Sequence, residues 1–178
     1  YLPHPYARNP YARQKRTRWA GAFSRIDWDK GTHHIIAANE KLPHNKQIRL
    51  HGAANTMYAY HKLPADWQRH YEGTFSADNL WAGVLIASKY QWAVDMSSIA
   101  GDGGGTQYTF LEAIDAGAGL MLNKKWITGR EDDELANKAV FCEAEDLADA
   151  IKEPPTIFAD SLLDNHDAAT IAQQTLIK

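Results

Sequence analysis

Hydrophobic and polar residues alternate along this chain in short blocks, and each block has the length of one secondary-structure element. Apolar runs at residues 19–26 (WAGAFSRI) and 90–97 (YQWAVDMS) have the length of buried strands. Helical spacing of apolar positions follows each run, over residues 32–42 and from Tyr108 onward. The pattern therefore predicts strands that alternate with helices.

The rest of the chain continues this alternation. It predicts further strands at residues 47–51, 67–72, 119–123 and 139–142, and helices at 77–88, 143–152 and 157–177, the last interrupted near Asn165. Residues 56–63 are helical or irregular, and Pro64 ends that unit. The fold class we predict is α/β: a single-domain, Rossmann-like parallel sheet with helices on both faces, whose ligand crevice lies at the carboxyl ends of the strands.

The N-terminal stretch lacks both the helical and the strand period. It has three prolines in its first ten residues, which favours an extended connector. We therefore assign residues 1–18 to an interdomain connector and residues 19–178 to the folded domain. A chain that starts this way looks cut from a longer one.

Composition limits the class of protein. The chain has 178 residues, of which 44% are hydrophobic, enough for one core. The longest apolar run, residues 80–87, is too short to cross a bilayer, and no signal-peptide pattern is present, so we expect a soluble, cytoplasmic protein without an integral membrane segment. The single cysteine, Cys142, excludes an internal disulfide framework and is expected to be buried.

Charge is distributed unevenly along the chain. Residues 1–30 contain seven Lys and Arg against two Asp, a net charge of +5, so the remainder carries −8 of the total of −3. The basic end suits an anionic ligand or acceptor, although a solvated linker also explains residues 13–18. The acidic remainder argues against a general nucleic-acid-binding surface.

A glycine-rich loop at residues 101–107 separates a predicted strand from a predicted helix. Three consecutive glycines, residues 103–105, allow the backbone to approach a ligand closely and to adopt positive φ angles. The free N–H groups and the dipole of the following helix can bind an anion there. The alternative is a long loop that binds no ligand.

Two further features suit a nucleoside diphosphate. Arg25 and Lys30 are five residues apart across the first strand-to-helix turn, where they can clamp a diphosphate. Glu112 lies one turn into the helix after the glycine loop, on one face with Tyr108 and Asp115, and a carboxylate there can accept two hydrogen bonds from a ribose.

Metal ligands and catalytic histidines are less evident. Asp95 and Asp102 could contribute to a divalent cation site, but no third oxygen ligand has a suitable spacing, so we expect no essential metal. His33 and His34 are adjacent on a helix and cannot chelate one ion together. His51, at a predicted strand end, is the histidine we consider the better functional candidate.

The order of these motifs resembles a known family. The segments SRIDWDKGTHHIIAAN, IRLHGAAN and TFLEAIDAGAGLMLN, in that order, resemble the C-terminal, nucleotide-sugar-binding domain of GT-B-fold retaining glycosyltransferases of the group 1, family 4-like type. The opening YLPHPY is similar to the segment in which that family crosses between its two domains. The resemblance covers roughly residues 2–164.

The resemblance implies roles for individual residues. Arg25, Lys30 and Asp102 would be the catalytic set, in which Arg25 and Lys30 hold the donor diphosphate. Donor-binding residues would be Gly73, Thr74 and Phe75 beside the base, Gly104, Gly105, Thr106, Gln107 and Tyr108 near the sugar and phosphate, and Glu112 at the ribose. This chain departs from the family at Gly104, where an acid is usual eight positions before Glu112. Asp102 is the nearest acid that could replace it.

The resemblance also implies a function. Such a domain would bind a nucleotide sugar such as a UDP- or GDP-hexose, need no cofactor, and move the sugar to an acceptor with retention of configuration. The transferase would need an N-terminal acceptor domain of the same polypeptide, so the isolated chain should bind donor without catalysing transfer. The acceptor stays open among a glycan, a lipid-linked sugar, a small molecule and modified DNA. A non-catalytic module that binds a nucleotide or phospho-ligand is the alternative, and an oxidoreductase is disfavoured because no G-x-G-x-x-G follows the first strand.

Overall fold

A computed structural model describes residues 4–10, 15–75, 81–97, 107–129 and 133–176 of the chain. Its centre is one sheet of five strands in the order β2-β1-β3-β4-β5, and all neighbouring strands are parallel. The strands are β1 (Arg18–Ala22), β2 (Ile48–Leu50), β3 (Tyr90–Asp95), β4 (Gly119–Asn123) and β5 (Val140–Cys142). The prediction of a Rossmann-like α/β domain is thereby confirmed.

Helices connect the strands and cover both faces of the sheet. The α-helices are α1 (Thr32–Asn39), α2 (Thr56–Lys62), α3 (Ala82–Ala87), α4 (Tyr108–Asp115), α5 (Leu147–Ala150), α6 (Asp160–Asn165) and α7 (Ala168–Leu176). Short 3-10 turns occur at His44–Lys46, Trp67–His70, Lys124–Trp126 and Ala144–Asp146.

Two hydrophobic cores lie on the two faces. On β4, Met121 packs in one core with residues of α1, α2 and α5, whereas Leu120 and Leu122 pack in the other with residues of α3, α4 and α6. Side chains alternate across a strand, so a strand buried on both faces has an uninterrupted apolar sequence. This explains why the GLMLN segment could be recognised as a strand from its sequence, with bounds that agree with the structure.

Three elements differ from their predictions. Residues 67–72 form a 3-10 turn, Trp67–His70, instead of a strand, because the N–H of Trp67 bonds the carbonyl of Pro64 and only Tyr71 bridges to β2. The first strand ends at Ala22, earlier than predicted, and Ile26 makes an isolated bridge to Ala54. The helix predicted at residues 143–152 begins as a 3-10 turn and continues as the short α5.

The structure also bears on Cys142 and on the length of the helices. Cys142 is buried, as predicted, and its burial raises the pKa of its thiol to about 11. Within the part of the chain that the structure describes, every helix is too short or too polar to cross a membrane.

Candidate functional site

The strand order defines where a ligand crevice can form. From β1 the chain moves to β2 on one side, and it then returns to β3 on the other side of β1. The carboxyl ends of β1 and β3 therefore flank a topological switch point, which is where open α/β sheets bind ligands. The segment after β1 carries Arg25 and Lys30, and the segment after β3 leads to α4.

A single glycine allows the two segments to pack closely against each other. Gly31 precedes α1 with φ of 63°, and a Cβ atom built on it would stand 2.2 Å from the carbonyl oxygen of Met96, just past β3. A side chain at Gly31 would thus collide with the backbone that leads into the glycine-rich loop. The start of α1 is consequently packed directly against the carboxyl end of β3.

Arg25 is exposed but already has acidic partners. Its Nη2 lies 3.1 Å from Oδ2 of Asp29, its Nη1 lies 3.5 Å from Oδ2 of Asp27, and 60% of its side chain is exposed. Asp27 is itself fixed, because the side-chain amide of Asn55 donates to both of its oxygens at 3.2 Å. The guanidinium therefore projects from a turn whose acids compensate part of its charge.

Lys30 lies between this turn and the end of β3. It makes no hydrogen bond or ion pair with another residue of the described ranges, and its charge acts on Asp95. Burial raises the pKa of Asp95, against the effects of two hydrogen bonds from Ser97 and of the Lys30 ammonium. Lys30 is thus a cation near the switch point whose donors stay available to a ligand.

One oxygen of the Asp95 carboxylate, Oδ1, already accepts hydrogen bonds from the N–H and the hydroxyl of Ser97. Among the residues that the structure describes, no group of three or more His, Cys, Asp or Glu side chains is arranged to hold a metal ion. Asp102 lies outside the described residues, so the expectation of a metal-free site stays a prediction.

Helix α4 begins where the sequence predicted, at Tyr108. Gln107 precedes it with an extended backbone, and its side chain does not cap the helix, so N–H groups of the first turn can bind a ligand. Tyr108 is 47% exposed, and its ring centroid lies 4.9 Å from that of His4. The other predicted loop residues, Gly104, Gly105 and Thr106, lie outside the described residues.

Glu112 faces helix α3 and a pocket of about 190 Å³. A Cβ built on Gly83 of α3 would stand 2.5 Å from Oε2 of Glu112, so the carboxylate lies against the helix backbone. Burial raises the pKa of Glu112, and its carboxylate has neither a hydrogen bond nor an ion pair to any other residue in the described ranges. The rest of the pocket is lined by Pro5, Tyr6, Ala7, Trp81, Val84 and Tyr108.

The predicted base-binding residues follow the short bridge beside β2. Gly73 has φ of 100°, and its carbonyl accepts a hydrogen bond from the N–H of Gly52 at 3.0 Å. The ring of Phe75 lies 6.3 Å from that of Phe23 and 6.1 Å from that of His51. Phe75 therefore joins an aromatic cluster just past the carboxyl end of β1. Thr74 lies between Gly73 and Phe75 in this segment.

His51 is buried among aromatic side chains. It is 7% exposed, it stacks on Phe23 at 5.5 Å, and its Nε2 lies 2.7 Å from the hydroxyl of Tyr90. Burial lowers the pKa of His51 to about 4, so the ring is neutral at pH 7. This environment favours a neutral core histidine over the functional role considered from sequence.

Two residues around Glu112 were not predicted from the sequence. Tyr6 belongs to the predicted connector, yet it is 6% exposed and lines the Glu112 pocket. Gly83 admits the Glu112 carboxylate, although a glycine inside a short apolar helix usually indicates close helix packing. In the sequence, the only signal for Tyr6 was an aromatic residue within a proline-rich segment.

Comparison with known proteins finds similarity in structure. No protein-family model and no curated protein sequence matches this chain. HepE from Anabaena, solved in complex with UDP, superposes with a TM-score of 0.67 at 21% identity, over 88% of this chain and 47% of HepE. TarM from S. aureus superposes with a TM-score of 0.67 at 12% identity, over 97% of this chain and 37% of TarM.

One similar structure is a single domain of matching size. The C-terminal domain of LpcC, a glycosyl transferase group 1 family protein from Francisella tularensis, aligns over 97% of this chain and 95% of that domain, with a TM-score of 0.53 and 16% identity. This chain therefore spans less than half of HepE but nearly all of the LpcC domain. Its fold is therefore similar to that of GT-B glycosyltransferases, and it aligns with the C-terminal domain of LpcC.

Proposed function

We propose that this chain is the donor-binding domain of a glycosyltransferase and that it binds a nucleoside diphosphate sugar at the carboxyl ends of β1 and β3. The observation that carries the proposal is the half-buried carboxylate of Glu112, which lines a pocket one turn into α4 and has no protein partner among the described residues. A buried carboxylate without a partner is costly. The two hydroxyl groups of a ribose would satisfy it.

The diphosphate would lie between the start of α1 and the start of α4. Lys30 offers an ammonium there that has no partner among the described residues, and the first turn of α4, which Gln107 does not cap, offers N–H groups and the positive end of a dipole. Arg25 can turn from Asp29 to a phosphate oxygen, since most of its side chain is exposed. Gly73, Thr74 and Phe75 would contact the base, whereas Asp102 and Gly104–Thr106 would contact the sugar.

In the transfer step, the bond between the sugar C1 and the diphosphate oxygen breaks, and a bond forms between C1 and an acceptor oxygen, which loses its proton. The leaving diphosphate gains negative charge as that bond breaks. Arg25, Lys30 and the dipole of α4 would stabilise this charge without a metal ion. We propose retention of configuration at C1, in line with the family that the sequence resembles.

A complete transferase would need more chain than this one. The chain spans 47% of HepE and 37% of TarM, whose remaining parts have no counterpart here. A second domain would orient the acceptor and exclude water from the crevice. We therefore propose that the chain alone binds donor and does not transfer sugar at an appreciable rate.

Calorimetry tests this proposal. The 178-residue chain should bind at least one of UDP, GDP and ADP, and Lys30→Ala and Glu112→Ala should each weaken that binding roughly 10-fold or more, as expected for lost charged hydrogen bonds. Lys41→Ala is the matched control, because Lys41 is exposed just beyond the opposite end of α1. No binding of any of the three nucleotides, or equal effects of Lys30→Ala and Lys41→Ala, would contradict the proposal.

A further inference from the structure

A second carboxylate of α4 is buried beside the Glu112 pocket. The sequence pattern put Asp115 on the same face as Glu112, yet Asp115 is only 8% exposed, because the N-terminal segment covers it. Its Oδ2 accepts a hydrogen bond from the hydroxyl of Tyr6 at 3.0 Å and one from the backbone N–H of Asn9 at 2.6 Å. The first described residues of the chain are thus tied to the middle of the domain.

The same segment is also fixed from its other side. The N–H of Tyr6 donates to the carbonyl of His166 at 2.7 Å, and its carbonyl accepts from the N–H of Ala168 at 3.0 Å. The ring of His166 lies 2.9 Å from the carbonyl of His4 through Nδ1. Tyr6 is therefore held between α4 and the turn that joins α6 to α7.

This segment forms one wall of the pocket that contains Glu112. Pro5, Tyr6 and Ala7 line one side, opposite residues of α3 and α4. Burial and the neighbouring Asp115 raise the pKa of the Tyr6 hydroxyl, which keeps that group a hydrogen-bond donor. Without the bonds to Asp115 the wall would be held only by its backbone contacts with the turn between α6 and α7.

We infer that Asp115 is a positioning residue, which holds the Tyr6 segment as the outer wall of the nucleotide pocket and thereby sets the affinity for the ribose half of the donor. This inference rests on the proposed function. A wall that is ordered before binding lowers the entropic cost of association, so a loosened wall weakens binding without removing any direct contact to the ligand.

Two probes separate positioning from general stabilisation. UDP (or whichever of UDP, GDP and ADP binds most tightly) contains a ribose, whereas inorganic pyrophosphate reports only on the diphosphate site. Asp115→Ala should lower the nucleotide affinity of the 178-residue chain about 10-fold and leave the pyrophosphate affinity within about 2-fold. Tyr6→Phe, which removes only the hydroxyl, should give a smaller loss in the same direction.

Asp164→Ala is the matched control. Asp164 also pairs with the N-terminal segment, through Arg8, but both side chains are largely exposed and lie outside the pocket lining. Exposed ion pairs contribute little, so this variant should bind nucleotide like the unmodified chain.

The outcomes are distinguishable. If the unmodified chain binds nucleotide and neither Asp115→Ala nor Tyr6→Phe changes that affinity, the inference is wrong and the proposed function stands. An equal loss for nucleotide and pyrophosphate would also overturn it, since Asp115 would then act on the whole domain. If Asp115→Ala fails to fold, Tyr6→Phe decides the matter with the same two probes. A chain that binds no nucleotide overturns the proposed function itself.

Discussion

The carboxylate of Glu112 lies against the backbone of Gly83, so closely that a Cβ on Gly83 would stand 2.5 Å from Oε2 and 2.8 Å from Oε1. Helices α3 and α4 therefore pack closely where the Glu112 side chain lies between them. Glycine lowers the stability of a helix interior by about 0.5–1 kcal/mol relative to alanine. Gly83 thus leaves room for the Glu112 carboxylate, at some cost to the stability of α3.

Gly83→Ala should separate binding from stability. The new methyl group meets the flexible end of Glu112 and not backbone, so the carboxylate moves while the helix gains propensity. We expect an unchanged or higher Tm together with a nucleotide affinity that is lower by about 10-fold, as for a displaced charged hydrogen bond. Thermal unfolding and calorimetry of the same sample check both parts. An unchanged affinity would show that the position of the Glu112 carboxylate does not matter for binding.

Glu112→Gln should stabilise the domain at pH 7 and weaken its binding of nucleotide. Burial raises the pKa of Glu112 above its ordinary value of 4.5, so the folded state favours the protonated acid. The contribution of Glu112 to stability should therefore become less unfavourable as pH falls through the raised pKa to 4.5, and the advantage of the glutamine variant at pH 7 should shrink over that window. Urea unfolding at pH 7 and pH 4.5 measures the difference.

The same titration should appear in binding. An ionised carboxylate accepts hydrogen bonds from both ribose hydroxyls, so nucleotide affinity should fall as pH drops toward the raised pKa of Glu112. The phosphate groups of the nucleotide also titrate, and their effect is common to the unmodified chain and the Glu112→Gln variant. The difference between the two pH profiles therefore reports on Glu112. Identical pH profiles for the two proteins would exclude an ionised Glu112 from the site.

The elements that the sequence predicted well are those whose apolar pattern lies within the element itself. Strand β4 and the start of α4 at Tyr108 agree with prediction, because each is dictated by its own apolar pattern. The ion pair of Arg25 and Asp29 could also have been predicted, since the residues are four positions apart in one turn. Local spacing carries this information.

What sequence could not predict depends on distant partners. Asp115 has the spacing of a solvent-facing residue, and it is buried by Tyr6, 109 positions away. The segment 67–72 contains two aromatic residues, Trp67 and Tyr71, of a type that is common in strands, but β2 lies at the sheet edge and bridges only to Tyr71 of this segment. Neither relationship leaves a periodic signal in one sequence.

Gly31→Ala should destabilise the domain far more than Gly129→Ala. Both glycines have a similar positive φ, 63° and 72°, so both substitutions carry the same backbone strain. At Gly31 the methyl group would also stand 2.2 Å from the carbonyl oxygen of Met96, whereas no atom of the described residues lies within 4 Å of a methyl group at Gly129. We expect a loss of about 1 kcal/mol at Gly129 and of about 3 kcal/mol or more at Gly31. Urea unfolding of the two variants checks this, and equal losses would contradict the packing of α1 on β3.

His51 should make the domain sensitive to mild acid. Its pKa is lowered by burial to about 4 in the folded chain and is 6.5 in the unfolded one, so the unfolded state binds an extra proton between these values. The contribution of His51 to stability should therefore decrease as pH falls from 6.5 to about 4, by about 3 kcal/mol at most. In the His51→Gln variant the amide can still form a hydrogen bond with the hydroxyl of Tyr90, but it does not titrate, so this part of the pH dependence of stability should be absent. Unfolding free energies of both proteins at pH 7 and pH 5 give the comparison, and parallel curves would contradict a neutral buried His51.

Asp29→Asn should strengthen nucleotide binding, in contrast to most changes near a site. Asp29 lies 3.1 Å from Nη2 of Arg25 and competes with any phosphate for that guanidinium. The asparagine removes one negative charge beside the proposed diphosphate position and leaves Asp27 to orient the arginine. We expect the affinity for UDP, or for whichever nucleotide binds best, to rise about 2- to 10-fold at low salt and to approach the original value at high salt.

Asp66→Asn provides the control for this last comparison. Asp66 pairs with Arg69 at 2.8 Å in an exposed ion pair that flanks a different turn, and its loss changes the net charge of the domain by the same amount. Because only a charge close to the ligand acts strongly through water, Asp66→Asn should change the affinity by less than about 2-fold. If both variants strengthen binding equally, net charge explains the effect. If Asp29→Asn weakens binding instead, the Arg25–Asp29 pair is itself the element that orients the guanidinium, and the phosphate contact would have to come from Lys30 and α4 alone.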